Sequence, residues 1–126
     1  MEQMDALKAA QREGFVQRIV GHLKRFAPEA IAGLAKNVIH DRVRLGVRRA
    51  ENHGIRGFGY TLAFVQTMFA IGPDFDQHPA VQAVLNDVTL PPDARVKKLF
   101  SAEFPTNWQE VAKTTHADAW AEDDAV

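Results

Sequence analysis

The sequence predicts an all-α fold: a single compact bundle of five or six helices around a central apolar helix. Three observations carry this. From Thr61 to Ile71 only Thr61, Gln66 and Thr67 are polar, and a helix apolar on nearly every face has to be enclosed by other helices. Apolar residues elsewhere recur every three or four positions, and no run alternates with the period of two that a strand requires. The 126 residues fit one domain, which can bury roughly two-thirds of its unfolded surface without a disulfide or metal staple.

The first helix is expected from about Asp5 to Phe26. Leu7, Phe15, Ile19, Leu23 and Phe26 share one face, widened by Val16 and Val20. Gly14 is its weak point, costing about 1 kcal/mol relative to alanine. Pro28 suits the start of a short helix over residues 29–35. A second long helix spans about Asn37 to His53, with Ile39, Val43, Val47 and Ala50 on its apolar face and Gly54 just past its end. Arg56 to Tyr60 is glycine-rich and turn-like. The central helix covers about Tyr60 to Ile71, anchored by Phe64, Val65, Met68 and Phe69. It stops at Gly72-Pro73, where glycine suits a C-terminal cap and proline cannot continue the turn. Helices over Pro79–Asn86 and Pro92–Phe100 flank the break at Leu90-Pro91-Pro92, and a last one runs from Asn107 to about Thr114. The helical domain is thus residues 1–114, followed by an acidic, flexible tail at 115–126.

Composition removes several classes of function. With no cysteine, disulfides, thiolate metal sites and cysteine nucleophiles are excluded. No apolar run approaches the ~20 residues of a membrane span, and the amino terminus lacks the basic start and apolar core of a secretory signal. The reading is a cytoplasmic protein. The formal net charge of −1 conceals an asymmetry: residues 1–56 carry 11 Lys and Arg against 6 Asp and Glu, whereas residues 57–126 carry 4 against 10. Either a basic binding face opposes an acidic tail, or the halves neutralise each other across the fold.

The chemistry-bearing patterns are few. His22, His40, His53, His78 and His116 make no helical zinc spacing. Asp74, Asp76 and His78 form an Asp-x-Asp-x-His string without the glycine and distal glutamate of a calcium loop. Between two helices these residues fit a capping role better than a metal site. Gly54, Gly57 and Gly59 follow no strand and make no phosphate loop. No catalytic set and no cofactor are implied. Arg42, Arg44, Arg48 and Arg49 load one helix face. That face reads as solvated or protein-docking rather than as a nucleic-acid reader, since arginine's planar fork suits carboxylate partners. Trp108 is expected to pack on the body, and Trp120, in a polar segment, to anchor a partner.

Three blocks carry a resemblance: Phe15–Leu23 with Phe26-Ala27-Pro28-Glu29; Arg44-Leu45-Gly46-Val47-Arg48-Arg49-Ala50-Glu51-Asn52-His53-Gly54-Ile55; and Phe69-Ala70-Ile71-Gly72-Pro73-Asp74-Phe75-Asp76. Over about residues 15–100 the chain resembles a family of small helical proteins encoded beside type VI secretion spike and adaptor genes. Its members read as a helix, Ala-x-x-Tyr/His-Gly-Ile, an apolar helix, and Gly-x-Asp-Phe-Asp. The chain departs from the pattern after Gly-Ile, where Arg56-Gly57-Phe58-Gly59-Tyr60 replaces a charged, serine-bearing helix start and places Phe58 and Tyr60 where they could touch a partner. The resemblance implies an accessory, co-chaperone-like role in loading an effector onto the spike. An immunity protein that neutralises a cognate toxin is the alternative. Gly54, Gly72, Pro73, Asp74, Phe75 and Asp76 would then be structural, and the arginines, Phe58, Tyr60 and Trp120 would form the protein interface.

Overall fold

A computed structural model describes residues 2–122. All regular structure among them is helical: α1 (Glu2–Phe26), a 3₁₀ turn (Pro28–Ala30), α2 (Lys36–Asn52), α3 (Phe58–Ala70), a second 3₁₀ turn (Phe75–Gln77), α4 (Pro79–Leu85), α5 (Pro92–Leu99), α6 (Trp108–Ala112) and the single turn α7 (Ala119–Glu122). No described helix is long and apolar enough to cross a membrane. Two expected boundaries move for local reasons. Residues 29–35 make only the 3₁₀ turn, which stops at Ala30, and Gly33 at φ 79° takes the chain out of the right-handed region before α2. α3 starts two residues early at Phe58, with Gly57 extended (φ −69°, ψ 138°) as its N-cap.

α1 and α2 run antiparallel, since Arg12 meets Glu51 and Glu13 meets Arg44. α1 has 25 residues and α2 has 17, so α1 is longer by roughly 12 Å at 1.5 Å per residue. Because Arg12 already meets Glu51 in the last turn of α2, the overhang lies at the N-terminal end of α1 and explains one correction to the expected buried stripe, Leu7 at 68% exposed; Phe26, at the other end, is 63% exposed with its ring 4.7 Å from that of His22. Between them Val16, Ile19, Val20 and Leu23 are buried and pack with Ile31, Ile39, Val43, Val47 and Val65.

A second core lies on the other side of α3. There Phe64 and Met68 join Leu45, Ile55, Phe75, Val81, Val84, Leu85, Val96, Leu99 and Val111. α3 is therefore shared between two cores. Its close seat on α2 depends on Gly46, where a Cβ would come within 2.9 Å of Val65 Cγ2 and 3.1 Å of Met68 Sδ. Enclosure is incomplete: Ala70 is exposed, and Ala63 and Gln66 are half-buried. These three positions share one face at helical spacing, and two alanines offer little apolar area to drive burial while the amide keeps water.

The short helices are held by caps and by side chains that cross between segments. His78 Nδ1 accepts from the Ala80 N–H at 3.0 Å, and Asn107 Oδ1 accepts from the Glu110 N–H at 2.9 Å. Asp93, in the first turn of α5, accepts the backbone N–H groups of Arg56 (2.9 Å) and Gly57 (3.1 Å), which pins the α2–α3 corner to α5. Arg95 closes the α4–α5 connection by donating to the Leu90 and Leu85 carbonyls at 2.9 and 3.1 Å.

The segment from residue 115, expected to be a mobile tail, packs on the body in its described part. Ala119 is 3% exposed, and the Trp120 ring lies 5.0 Å from Phe69. The reason is on α3: Phe69 packs at the edge of the first core and stays half-buried, and Trp120, packed against the second core, covers its remaining apolar surface. Residues 123–126 of the expected tail lie outside the described residues.

Two measurements check this packing. Phe64 is 1% exposed and fully enclosed, so Phe64→Ala should lower stability by about 3–5 kcal/mol in urea denaturation. Gly46→Leu should force α2 and α3 apart and cost at least about 1–3 kcal/mol in the same assay.

Candidate functional site

The Gly72–Asp76 block, which connects α3 to α4, is the most densely bonded polar region of the described chain. Asp76 is only 4% exposed. Its Oδ2 lies 3.1 Å from His53 Nε2, which requires that nitrogen to carry a proton, because a carboxylate only accepts. Its Oδ1 sits 3.8 Å from Arg49 Nη1 and accepts no hydrogen bond from a described residue. The same Arg49 nitrogen donates to the Pro73 carbonyl. Arg49 and His53 are one helical turn apart at the end of α2, so a single face of α2 holds the exit loop of α3. The His53 ring also lies 5.6 Å from Phe64, tying the polar knot to the second core.

Asp74 makes a parallel clamp toward the C-terminal segment. It accepts the His116 backbone N–H at 2.8 Å and faces His116 Nδ1 at 2.9 Å. Burial works against ionisation of Asp74, but the bonds from the His116 ring and backbone outweigh it and hold the carboxyl below its ordinary value. Next to it, Thr115 Oγ1 donates to the Ile71 carbonyl at 3.0 Å. Thr115 lies so close that a Cβ on Gly72 (φ 155°) would fall 2.3 Å from its Cβ. Glycine is required there by both contact and conformation. The Asp-x-Asp-x-His string is thus divided among three tasks: Asp74 holds His116, Asp76 holds Arg49 and His53, and His78 caps α4. No three His, Asp or Glu side chains converge on a common metal position among the described residues.

The expected interface residues do not form one face. Arg42 lies over the Trp120 ring at 5.0 Å, so Trp120, read as a partner anchor, is half-buried between Phe69 and Arg42. Arg44 pairs with Glu13 (2.8 Å) and Asp41 (3.1 Å), and its bond to Glu13 holds that carboxyl below its usual value. Arg49 belongs to the knot. Phe58 packs edge-on against Phe15 at 5.3 Å and is covered by the Arg18 guanidinium at 3.7 Å. Only Arg48 and Tyr60 of the expected set are exposed. The charge asymmetry resolves between the two readings: Arg49–Asp76 crosses the halves, whereas Arg12–Glu51 and Arg44–Glu13 close within the basic half.

Two hollows mark the surface. One, of about 390 Å³, lies between the first half of α1 and the α2–α3 corner, and Lys8, Arg12 and Arg56 stand around it. The other, of about 360 Å³, is lined by Ala63, Gln66, Ala70, Ile71, Phe100 and Trp108. On its wall Trp108 stacks with Phe100 at 5.3 Å and with Phe104 at 4.8 Å. Sequence reasoning missed Asp93, His53 and His116 as clamps. For Asp93 the signal was its place in a helix's first turn after two prolines; its targets, 36 and 37 positions earlier in the chain, carry no local mark. No protein-family model matches the chain, and no curated protein and no solved structure is significantly similar to it.

Removing the cation of a buried pair strands the anion. Arg49→Met should therefore cost about 3 kcal/mol in urea denaturation, whereas Asp76→Asn, which preserves shape and can still bond His53, should cost less. Asp74 has its carboxyl lowered by folding, so its contribution is present above the unfolded-state value and vanishes as pH falls through the folded one. His116→Ala should accordingly be less stable than the parent near pH ~5, with the gap narrowing toward pH ~2.5; parallel urea titrations at the two pH values read this directly.

Proposed function

We propose that this protein is a non-catalytic, cytoplasmic accessory of a type VI secretion system that binds an effector, its larger adaptor, or both, and assists their loading onto the spike. The observation that carries the binding role is apolar surface left facing water. Phe100 is 46% exposed and stacks on Trp108 beside a hollow whose other walls are Ala63, Gln66, Thr67, Ala70 and Ile71. Exposed apolar patches rimmed by polar groups are characteristic of protein-binding surfaces, and aromatic residues and arginine are enriched there.

The family reading rests on the sequence blocks quoted above, and the geometry is compatible with it. In the Gly72–Asp76 block the polar side chains brace the scaffold: Asp74 holds the C-terminal segment and Asp76 holds α2. Gly54 (φ 81°) closes α2 against Pro92, whose Cγ lies 3.0 Å from where a Cβ would stand. The blocks that carry the resemblance therefore set helix geometry, as expected of a rigid binding body.

The test is genetic and biochemical. Tagged full-length protein should co-purify with a neighbouring adaptor or effector, and Phe100→Asp should weaken that complex by about tenfold or more while leaving the fold intact by circular dichroism. Deletion should abolish effector delivery without exposing the cell to its siblings. A deletion strain killed by sibling cells would instead establish the immunity role and sink the loading role.

A further inference from the structure

The hollow between α1 and the α2–α3 corner is a built groove of about 390 Å³, within the ~300–1,000 Å³ typical of ligand sites. Its floor is closed by Val47 and Ile55, 1% and 3% exposed, with the half-buried Phe15 as its accessible apolar wall and Gln11 and Asn52 among its polar lining. Among the described residues its lining carries the cations Lys8, Arg12 and Arg56 and the anion Glu51, with the Asp93 carboxylate bound to the Arg56 and Gly57 amides at the corner. Glu51 is engaged with Arg12 through two contacts, Nε–Oε2 at 2.6 Å and Nη2–Oε1 at 3.3 Å. That uses two of the five guanidinium donors. Lys8 and the Arg56 side chain make no ion pair with a described residue.

Three of the last α2 carbonyls are already bonded: His53 N–H donates to Arg49 and Ala50, Gly54 N–H to Glu51, and Ile55 N–H to Ala50. The amides of Arg56 and Gly57, which would otherwise attract a phosphate, are taken by Asp93. What remains is a slot with one aromatic wall, Phe15, and cationic side chains at its edge.

We propose that this groove docks an acidic protein segment: one apolar side chain seated against Phe15, with flanking carboxylates on Lys8, Arg56 and the remaining donors of Arg12. The inference rests on reading the chain as a protein-binding accessory, and it names the chemistry of the segment bound. A peptide fits better than a phosphate ligand, because the half-buried Phe15 offers contact to an apolar side chain and Glu51 opposes a dianion more strongly than a lone carboxylate.

The probe is a terminally blocked Glu-Asp-Leu-Glu-Asp peptide titrated into the ¹⁵N-labelled full chain. Amide shifts should centre on residues 8–15 and 51–61. The neutral Gln-Asn-Leu-Gln-Asn peptide should bind about tenfold more weakly or worse, and Glu-Asp-Ala-Glu-Asp severalfold more weakly. Lys8 and Arg56 are exposed, so the double variant Lys8→Glu/Arg56→Glu should fold, lose affinity about tenfold or more, and lose the cellular partner. Arg48→Glu, exposed and outside the groove, should change affinity less than about twofold. Shifts that follow the basic surface at large, unchanged binding by the double variant, or displacement of the peptide by inorganic phosphate or duplex DNA at lower concentration would each overturn the proposal. Retention of the cellular partner by the folded double variant overturns the groove while the accessory role stands; absence of any partner for the parent protein removes the accessory role whatever the peptide does.

Discussion

The fold depends on desolvating α3 from two opposite sides. Val65 enters one core and Phe64 and Met68 enter the other, so neither core closes without this helix. At about 25 cal/mol per Å² of apolar surface, no single neighbour could cover so apolar a rod. The α1–α2 hairpin covers one side and the α4–α5–α6 segment the other. Gly46 is the geometric condition of this arrangement. With no Cβ, it lets α2 lie directly on Val65 and Met68, and every later element takes its position from that contact.

A helix held so tightly must leave in one direction, and the Gly72–Asp76 block sets that direction. Apolar packing alone would let the loop slide, because it is non-directional. Directional contacts fix it: Arg49 on the Pro73 carbonyl and the Asp76 carboxylate, His53 on Asp76, and His116 on Asp74. A buried charge pair is poor evidence for stability, since desolvation offsets most of its attraction. Its contribution here is specificity: Arg49 and His53 lie on one face of α2, so the exit loop has one register in which both find Asp76. One hollow sits where α2 ends against α1, and another where α3 ends beside Phe100 and Trp108.

The sequence carried the parts of this fold that are encoded locally. Periodicity located α1, α2 and α3, and proline and glycine placed the breaks at Pro28, Gly54, Gly72-Pro73 and Pro91-Pro92. What it did not carry was the choice of partner for each polar residue. Arg42, Arg44, Arg48 and Arg49 look alike in sequence, yet one covers a tryptophan, one pairs with α1, one faces water and one is buried on Asp76. Those outcomes depend on which segment lies opposite, a long-range property with no period. Trp120 illustrates the same limit. A tryptophan among Ala, Asp and Glu reads as an anchor for another molecule, but Phe69, 51 positions earlier in the numbering, supplies an internal surface for it.

The sign of the surface follows from the same pairing choices. The basic half uses its own carboxylates, Glu13 and Glu51, to neutralise Arg44 and Arg12, and it borrows Asp76 for Arg49. Lys8, Arg18, Lys24, Arg25, Lys36, Arg48 and Arg56 are then left toward solvent. Lys8 and Arg56 stand at one groove with Arg12. Meanwhile Asp74, Asp76 and Asp93 of the acidic half are committed to holding His116, α2 and the α2–α3 corner. Internal bracing thus consumes acidic side chains more completely than basic ones. A chain whose formal charges nearly cancel consequently presents cations beside the aromatic wall of Phe15, and a molecule that meets it there meets those cations before it meets the ring. That order favours partners that carry carboxylates around an apolar side chain, because long-range attraction selects the encounter and short-range burial retains it.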